Sequence, residues 1–317
     1  MLAVQPSWKI IDSTKIKAFQ ECPRSYFYEY ILGWRSVEPS IHLEFGKAWH
    51  YAMEHLILHG YSQQTVEEAF FLFHTHYRKF FPEHMDDAYA PKNPAYAYQA
   101  LSQYIKTYAN DQHKPIATEI AGTVTMDANH TLHFRMDSIL EVDGQIRSRE
   151  HKTGSTLSRQ WMDQWNLAVQ TFVYNHVLHC LYPREQVWGI EINGVFFQKK
   201  ENKFQRVPCR VPLPMMQARY WNVLDEMYRI DLEMESLLDD SDESDEVLMA
   251  FPMRPSHCTS YFGCKYMPFC MSWANPLQYT HEVPDGFHIE YWNPADEESS
   301  AKNVYHLKEN SYEESRP

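Results

Sequence analysis

The feature that most constrains this chain is a change of hydrophobic period near residue 112. Before it, apolar residues recur at helical spacing in four stretches. The first is capped by Asp12, Ser13 or Thr14 and carries Ile16, Phe19, Tyr26, Phe27 and Tyr30; the others cover 42–59, 64–80 and 94–110. After it, residues 117–126 and 131–142 alternate apolar with polar, the pattern of half-buried strands, with a turn at 127–130 between them. Asp143-Gly144 is a tight-turn pair leading into a third strand, QIRSREHKT. A helical stretch at 158–181, strands at 186–198 and 203–211, and a helix at 212–238 complete the pattern. This order predicts an α/β fold: a mixed sheet flanked by helices, with an N-terminal helical elaboration.

Three residues of the meander carry chemistry. Asp137 lies on its second strand, and Glu150-His151-Lys152 on its third. Side chains two apart share a strand face, so Glu150 and Lys152 stand side by side and Asp137 meets them across the hairpin. Two carboxylates with a backbone carbonyl suit a hard divalent cation such as Mg2+ or Mn2+. Lys152 would orient a water molecule or oppose developing negative charge. The ordinary alternative for three such residues is a solvated strand face with an ion pair. In the following helix, Gln170 and Tyr174 are spaced i, i+4 and project from one side.

Six cysteines occur, and three of them, Cys258, Cys264 and Cys270, stand in HCTSYFGCKYMPFC. Such a loop can bind metal if a fourth thiolate joins it, and Cys22 in QECPRSYFYEY is the candidate. Thiolate-only sites suit an iron–sulfur cluster or zinc, and ligand type does not separate them. Cys180 and Cys209 fit neither group and read as core residues.

Taken together, FGKAWH ending at His50, RMD at Asp137, EHKT at 150–153 and QTFVY at 170–174 resemble the RecB-type branch of the PD-(D/E)XK nucleases, in the family's order. That branch includes CRISPR-adaptation nucleases and many phage exonucleases. The resemblance implies a restriction-endonuclease-like fold, metal held by His50, Asp137 and Glu150, a catalytic Lys152, and Gln170 and Tyr174 supporting the active site and DNA. It also implies a structural [4Fe–4S] cluster on Cys22, Cys258, Cys264 and Cys270, a Cys-rich clasp joining the chain's ends, with zinc as the alternative. Two departures stand out. His151 occupies a position where an apolar or aromatic residue is commoner, and the cysteine spacing is C-x5-C-x5-C where the family usually has C-x2-C-x5-C.

The implied activity is metal-dependent DNA exonuclease or end-processing cleavage in recombination, repair or phage DNA metabolism. The alternatives are a CRISPR-adaptation nuclease that trims prespacers and a catalytically silent DNA-binding scaffold. The net charge of −13 speaks against nucleic acid only until it is mapped. Residues 1–230 hold 24 acids and 24 bases, whereas 231–247 hold nine acids and no base. One nuclease domain is expected over 1–273: a helical part at 13–112, a core at 113–238, an acidic linker at 239–247 and the clasp at 251–273. An acidic, partly disordered tail is expected at 274–317. No G-x-x-x-x-G-K-[ST] motor motif occurs, so unwinding would need a separate helicase or recombination protein. No apolar run reaches the roughly 20 residues of a membrane helix, and a cytoplasmic protein is expected. The sequence leaves oligomeric state open.

Overall fold

A computed structural model describes residues 2–239, 241–260 and 263–308. The N-terminal third contains β1 (Ile11–Asp12), α1 (Ser13–Glu21), α2 (Pro23–Tyr26), β2 (Trp34–Ser36), α3 (Ile41–His59), α4 (Gln63–Tyr77), α5 (Asp86–Tyr89) and α6 (Pro94–Thr107). The meander follows as β3 (Lys114–Thr125), β4 (Thr131–Val142) and β5 (Gln145–Gly154). Then come α7 (Arg159–Gln164), α8 (Val169–Leu181), β6 (Val187–Phe196), β7 (Lys203–Cys209) and α9 (Leu213–Asp239). The last elements are α10 (Pro255–Cys258), α11 (Met267–Ser272), β8 (Phe287–Ile289), α12 (Pro294–Ser299) and β9 (Asn303–Leu307).

Seven strands form one mixed sheet in the order β7-β6-β5-β4-β3-β9, with β1 attached to β4. The meander pairs β3, β4 and β5 antiparallel, whereas β5 and β6 are parallel and joined through α7 and α8. Such a crossover through helices is what a parallel pair requires. Two apolar clusters cover the sheet. One gathers Ile16 and Phe19 of α1, Phe172 and Val177 of α8, and Val223 and Met227 of α9 over Leu132, Phe134, Met136, Ile190 and Ile192. The other gathers Phe45, Trp49 and Leu56 of α3, Phe73 of α4 and Leu101 and Tyr104 of α6 against Val195 and Phe197. The longer N-terminal helices form because their apolar residues recur every three or four positions and their N-termini are capped by side chains. Asp12 accepts from the Lys15 N–H at 2.8 Å, and Ser62 and Thr65 form a reciprocal capping box on α4.

The stretch expected as one helix over 158–181 divides at residues 165–168, so that α7 is capped by Ser158 and α8 starts afresh at Val169. A second difference concerns the acidic segment after residue 273. Instead of standing apart as a solvated tail, it pairs β8 antiparallel with β2 and β9 parallel with β3. Two of its acids meet bases of the sheet: Glu297 pairs with Arg135 and Glu298 with His133. Residues 309–317 of the expected tail lie outside the described residues.

One irregularity prepares the site. On the side of β4 away from β3, residues 139–142 pair with β5, and Leu132 and His133 pair with β1. Among the described residues, no strand pairs with the intervening residues 134–138 on that side. The sheet is therefore split open in its middle.

Candidate active site

Backbone groups freed by the split must find other partners. Asp137 and Glu150 supply them. The Asp137 Oδ2 accepts from the His151 N–H at 2.7 Å, and Glu150 Oε1 accepts from the Asp137 N–H at 3.2 Å. Ser148 Oγ also donates to Glu150 Oε1 at 3.0 Å, and Ser138 Oγ bridges to the Arg149 carbonyl at 3.0 Å. The two carboxyl groups thus cross-brace the gap and face each other through it. Glu150 is 1% exposed.

Helix α3 brings the histidine. Gly46, one turn before His50, faces β5, with the position of a Cβ there 3.8 Å from Thr153 Oγ1. His50 Nδ1 lies 3.1 Å from Asp137 Oδ1, and its Nε2 lies 2.9 Å from the His151 carbonyl oxygen. Since both partners are acceptors, the ring donates from both nitrogens and carries a proton on each. Burial lowers the His50 pKa, but the Asp137 charge and hydrogen bond outweigh burial and raise it overall.

The acids divide in opposite directions. Burial raises the Asp137 pKa, yet His50, with His151 and Lys152 behind it, holds that carboxyl well below the usual carboxylate range. Burial and the Asp137 charge push Glu150 well above its ordinary value, against the pull of Lys152. The neutral form of Glu150 is thus favoured beside a charged Asp137. Lys152 is close enough to act on both acids, and its ammonium lies 5.8 Å from the centre of the Trp165 ring. Gln170 Nε2 donates to the Tyr174 hydroxyl at 2.9 Å, and that hydroxyl donates to the Arg135 carbonyl, another group orphaned by the split. The pair thus braces β4 two residues from Asp137.

Among the described residues, no three His, Cys, Asp or Glu side chains stand in metal-coordinating geometry. At the fork this is because the acids and His50 are spent on one another and on backbone groups. The donor set nevertheless fits a hard cation: an imidazole nitrogen, carboxylate oxygens and a carbonyl. Neighbouring ligands on an octahedral ion at about 2.1 Å stand about 3 Å apart, as His50 Nε2 and the His151 carbonyl do at 2.9 Å. A cation would replace the shared protons.

Two further acids at the site escape a motif-based reading. Glu54 lies one turn beyond His50 on α3 and accepts from Thr118 Oγ1 at 2.7 Å. Glu119 lies across from Asp137, between the register pairs Thr118↔Ser138 and Ile120↔Met136, and adopts a φ of +48°. It is held by Arg135 at 2.6 Å. The i, i+4 spacing from His50 and the antiparallel register were the available signals.

The four cysteines of the expected clasp do not stand in metal-coordinating geometry among the described residues. Cys22 Sγ accepts from the Arg254 N–H at 3.4 Å, and Cys264 N–H bonds to the Cys258 carbonyl at 3.0 Å. The four thiols still lie within electrostatic reach of one another. Burial raises the Cys270 pKa to about 11; Arg24 opposes this, and Cys22, Cys264 and Cys258 add to it. Cys209 is buried in the core as expected.

Fold and site define a class: an α/β protein whose split sheet gathers acids, an imidazole and a lysine suited to a hard cation and an anionic substrate. The chain belongs to the PD-(D/E)XK nuclease superfamily, whose family model matches residues 13–271. It is thus a nuclease-family protein, of a kind that typically acts on DNA with divalent metal. Among solved structures it is similar to one described as "Crystal structure of SSO0001", at 10% identity and a TM-score of 0.32, covering 71% of this chain and 78% of that one. No curated protein matches it. Among the described residues, no helix is long and apolar enough to cross a membrane.

Proposed function

We propose that the chain is a divalent-metal-dependent DNA exonuclease or end-processing nuclease. The observation that carries this reading is the split in the sheet, where buried Glu150 and half-buried Asp137 come together beside His50 and Lys152. His50, Asp137, Glu150 and the His151 carbonyl would hold Mg2+ or Mn2+. When bound, the cation would polarise a phosphoryl oxygen and lower the pKa of a water molecule. Lys152 opposes the negative charge that develops as the phosphodiester is attacked. Gln170 and Tyr174 keep β4, and with it Asp137, in place.

The four cysteines support a second, structural metal, as a [4Fe–4S] cluster or as zinc. What supports it is the placement of Cys264 and Cys270 close enough to each other and to Cys22 and Cys258 to feel their charge, where a bound cation would favour the thiolate form of all four. The visible absorption spectrum of anaerobically purified protein separates iron from zinc. For the nuclease, linear DNA labelled at either end is incubated with Mg2+ and with Mn2+, using wild type and Lys152→Ala. Loss of label from an end by wild type, at least 100-fold slower in Lys152→Ala, is expected. Equal digestion by both proteins removes this mechanism.

A further inference from the structure

His151, the residue between the acid and the lysine, is more than a spacer. Its backbone holds two candidate ligands at once: the N–H grips Asp137 Oδ2 at 2.7 Å and the carbonyl meets His50 Nε2 at 2.9 Å. The orientation of this one peptide segment therefore sets where both groups stand. Its ring is 1% exposed and lies beside Asn193, its register partner on β6.

Asn193 is fixed by every hydrogen bond it makes. Its Oδ1 accepts from Arg206 Nε at 3.3 Å, and because a guanidinium only donates, the amide cannot be turned around. Its Nδ2 then spends one hydrogen on the Tyr104 hydroxyl and the other on His151 Nδ1, both at 2.9 Å. Arg206 is itself clamped by Asp111, at 2.7 and 2.5 Å, and lies 3.6 Å from the centre of the Tyr108 ring. A continuous run of fixed groups thus leads from the Asp111–Arg206 pair to the His151 ring.

The ring's second nitrogen is informative. With Nδ1 accepting, Nε2 carries the hydrogen, and it is buried without a partner among the described residues. An aliphatic side chain would fill this space without stranding a donor. The ring's useful contact is therefore the one to Asn193.

We propose that His151 is a positioning residue for the divalent metal. Through Nδ1 it is locked to Asn193, and this lock aims the backbone N–H and carbonyl that place Asp137 and His50. The inference rests on the metal-dependent nuclease reading and extends it to a side chain and a contact outside the ligand set.

Mn2+ affinity, read by calorimetry without DNA, tests it in wild type, His151→Leu, Asn193→Leu and the double variant, each with its thermal midpoint. Both single variants are expected to bind Mn2+ about 10-fold more weakly, in the range found for partners of metal ligands. The double variant pairs two apolar groups and no longer strands His151 Nδ1, so its midpoint is expected to rise above that of Asn193→Leu while its Mn2+ affinity stays low. It also serves if a single variant does not fold. Affinity within twofold of wild type in His151→Leu, or affinity that recovers together with the midpoint, overturns the inference. Absence of Mn2+ binding by the wild type removes the nuclease reading beneath it.

Discussion

Replacing Glu150 by Gln separates the metal site from the fold. In the metal-free protein Glu150 is 1% exposed, faces a charged Asp137 and has its pKa raised by both circumstances. Glutamine keeps the shape and the acceptor for Ser148 and the Asp137 N–H, and it removes the acid that must hold a proton. Stability without metal should match or exceed that of wild type. With metal the order reverses. A ligand at 100 times its Kd stabilises by about 2.7 kcal/mol. Unfolding entropy of about 2.1 cal/mol/K per residue gives about 0.7 kcal/mol/K for 317 residues, hence a rise in midpoint of about 4 °C. Thermal scans with chelator and with saturating Mn2+ should show that rise in wild type and less than 1 °C in Glu150→Gln. The wild-type rise should grow between pH 6 and 8, because the cation displaces the protons on Glu150 and His50, whose pKa values are both raised. An equal rise in both proteins would refute the reasoning, since the cation would then bind elsewhere.

Tyr174→Phe leaves the Arg135 carbonyl and the Gln170 amide without their shared hydroxyl, so a loss of about 1–3 kcal/mol by urea unfolding is expected. Cleavage should fall by about 10-fold, as in changes that loosen the support of a ligand. Arg24 is 2% exposed and donates to the Phe251 and Leu248 carbonyls, both at 2.9 Å. Arg24→Met should cost about 3 kcal/mol and lower the metal content per chain, measured by elemental analysis. Alkaline stability has a sign fixed by Lys15 and Lys92, whose pKa values burial lowers to about 8 from 10.5. The unfolded chain binds more protons between those values, so stability should rise with pH from 8 to 10, by at most about 1.4 kcal/mol per pH unit for each lysine. Above pH 10 the buried Tyr26, Tyr30 and Tyr61, raised by burial, should reverse the trend. A flat profile from 8 to 10 in denaturant titrations would contradict this.

Much of the fold could be read because local pattern and tertiary role coincide. The alternation of 131–142 is that of β4, and the 41–59 helix carries its apolar residues at i, i+3, i+4 and i+7. His50, Asp137, Glu150 and Lys152 could be aligned by motif because they lie on long, regular elements. The break between α7 and α8 could not, since it depends on Thr171 Oγ1 donating to the Trp165 and Ala168 carbonyls rather than on any helix-breaking residue. The segment beyond 273 was also opaque: its acids look solvated in one dimension, and only the fold shows Arg135 and His133 beside them. The split in the sheet has no local signature at all, because it arises from where β1 and β5 each stop along β4.

Strand β9 adds a constraint in time. It docks on β3, whose residues were synthesised roughly 180 positions earlier, and Gly122 admits the Tyr305 backbone so closely that any side chain would overlap it. Until Asn303–Leu307 has left the ribosome, β3 carries an open row of peptide groups on its outer side. The emerging chain therefore passes through a sticky interval that ends only when nearly all the residues described above have been made.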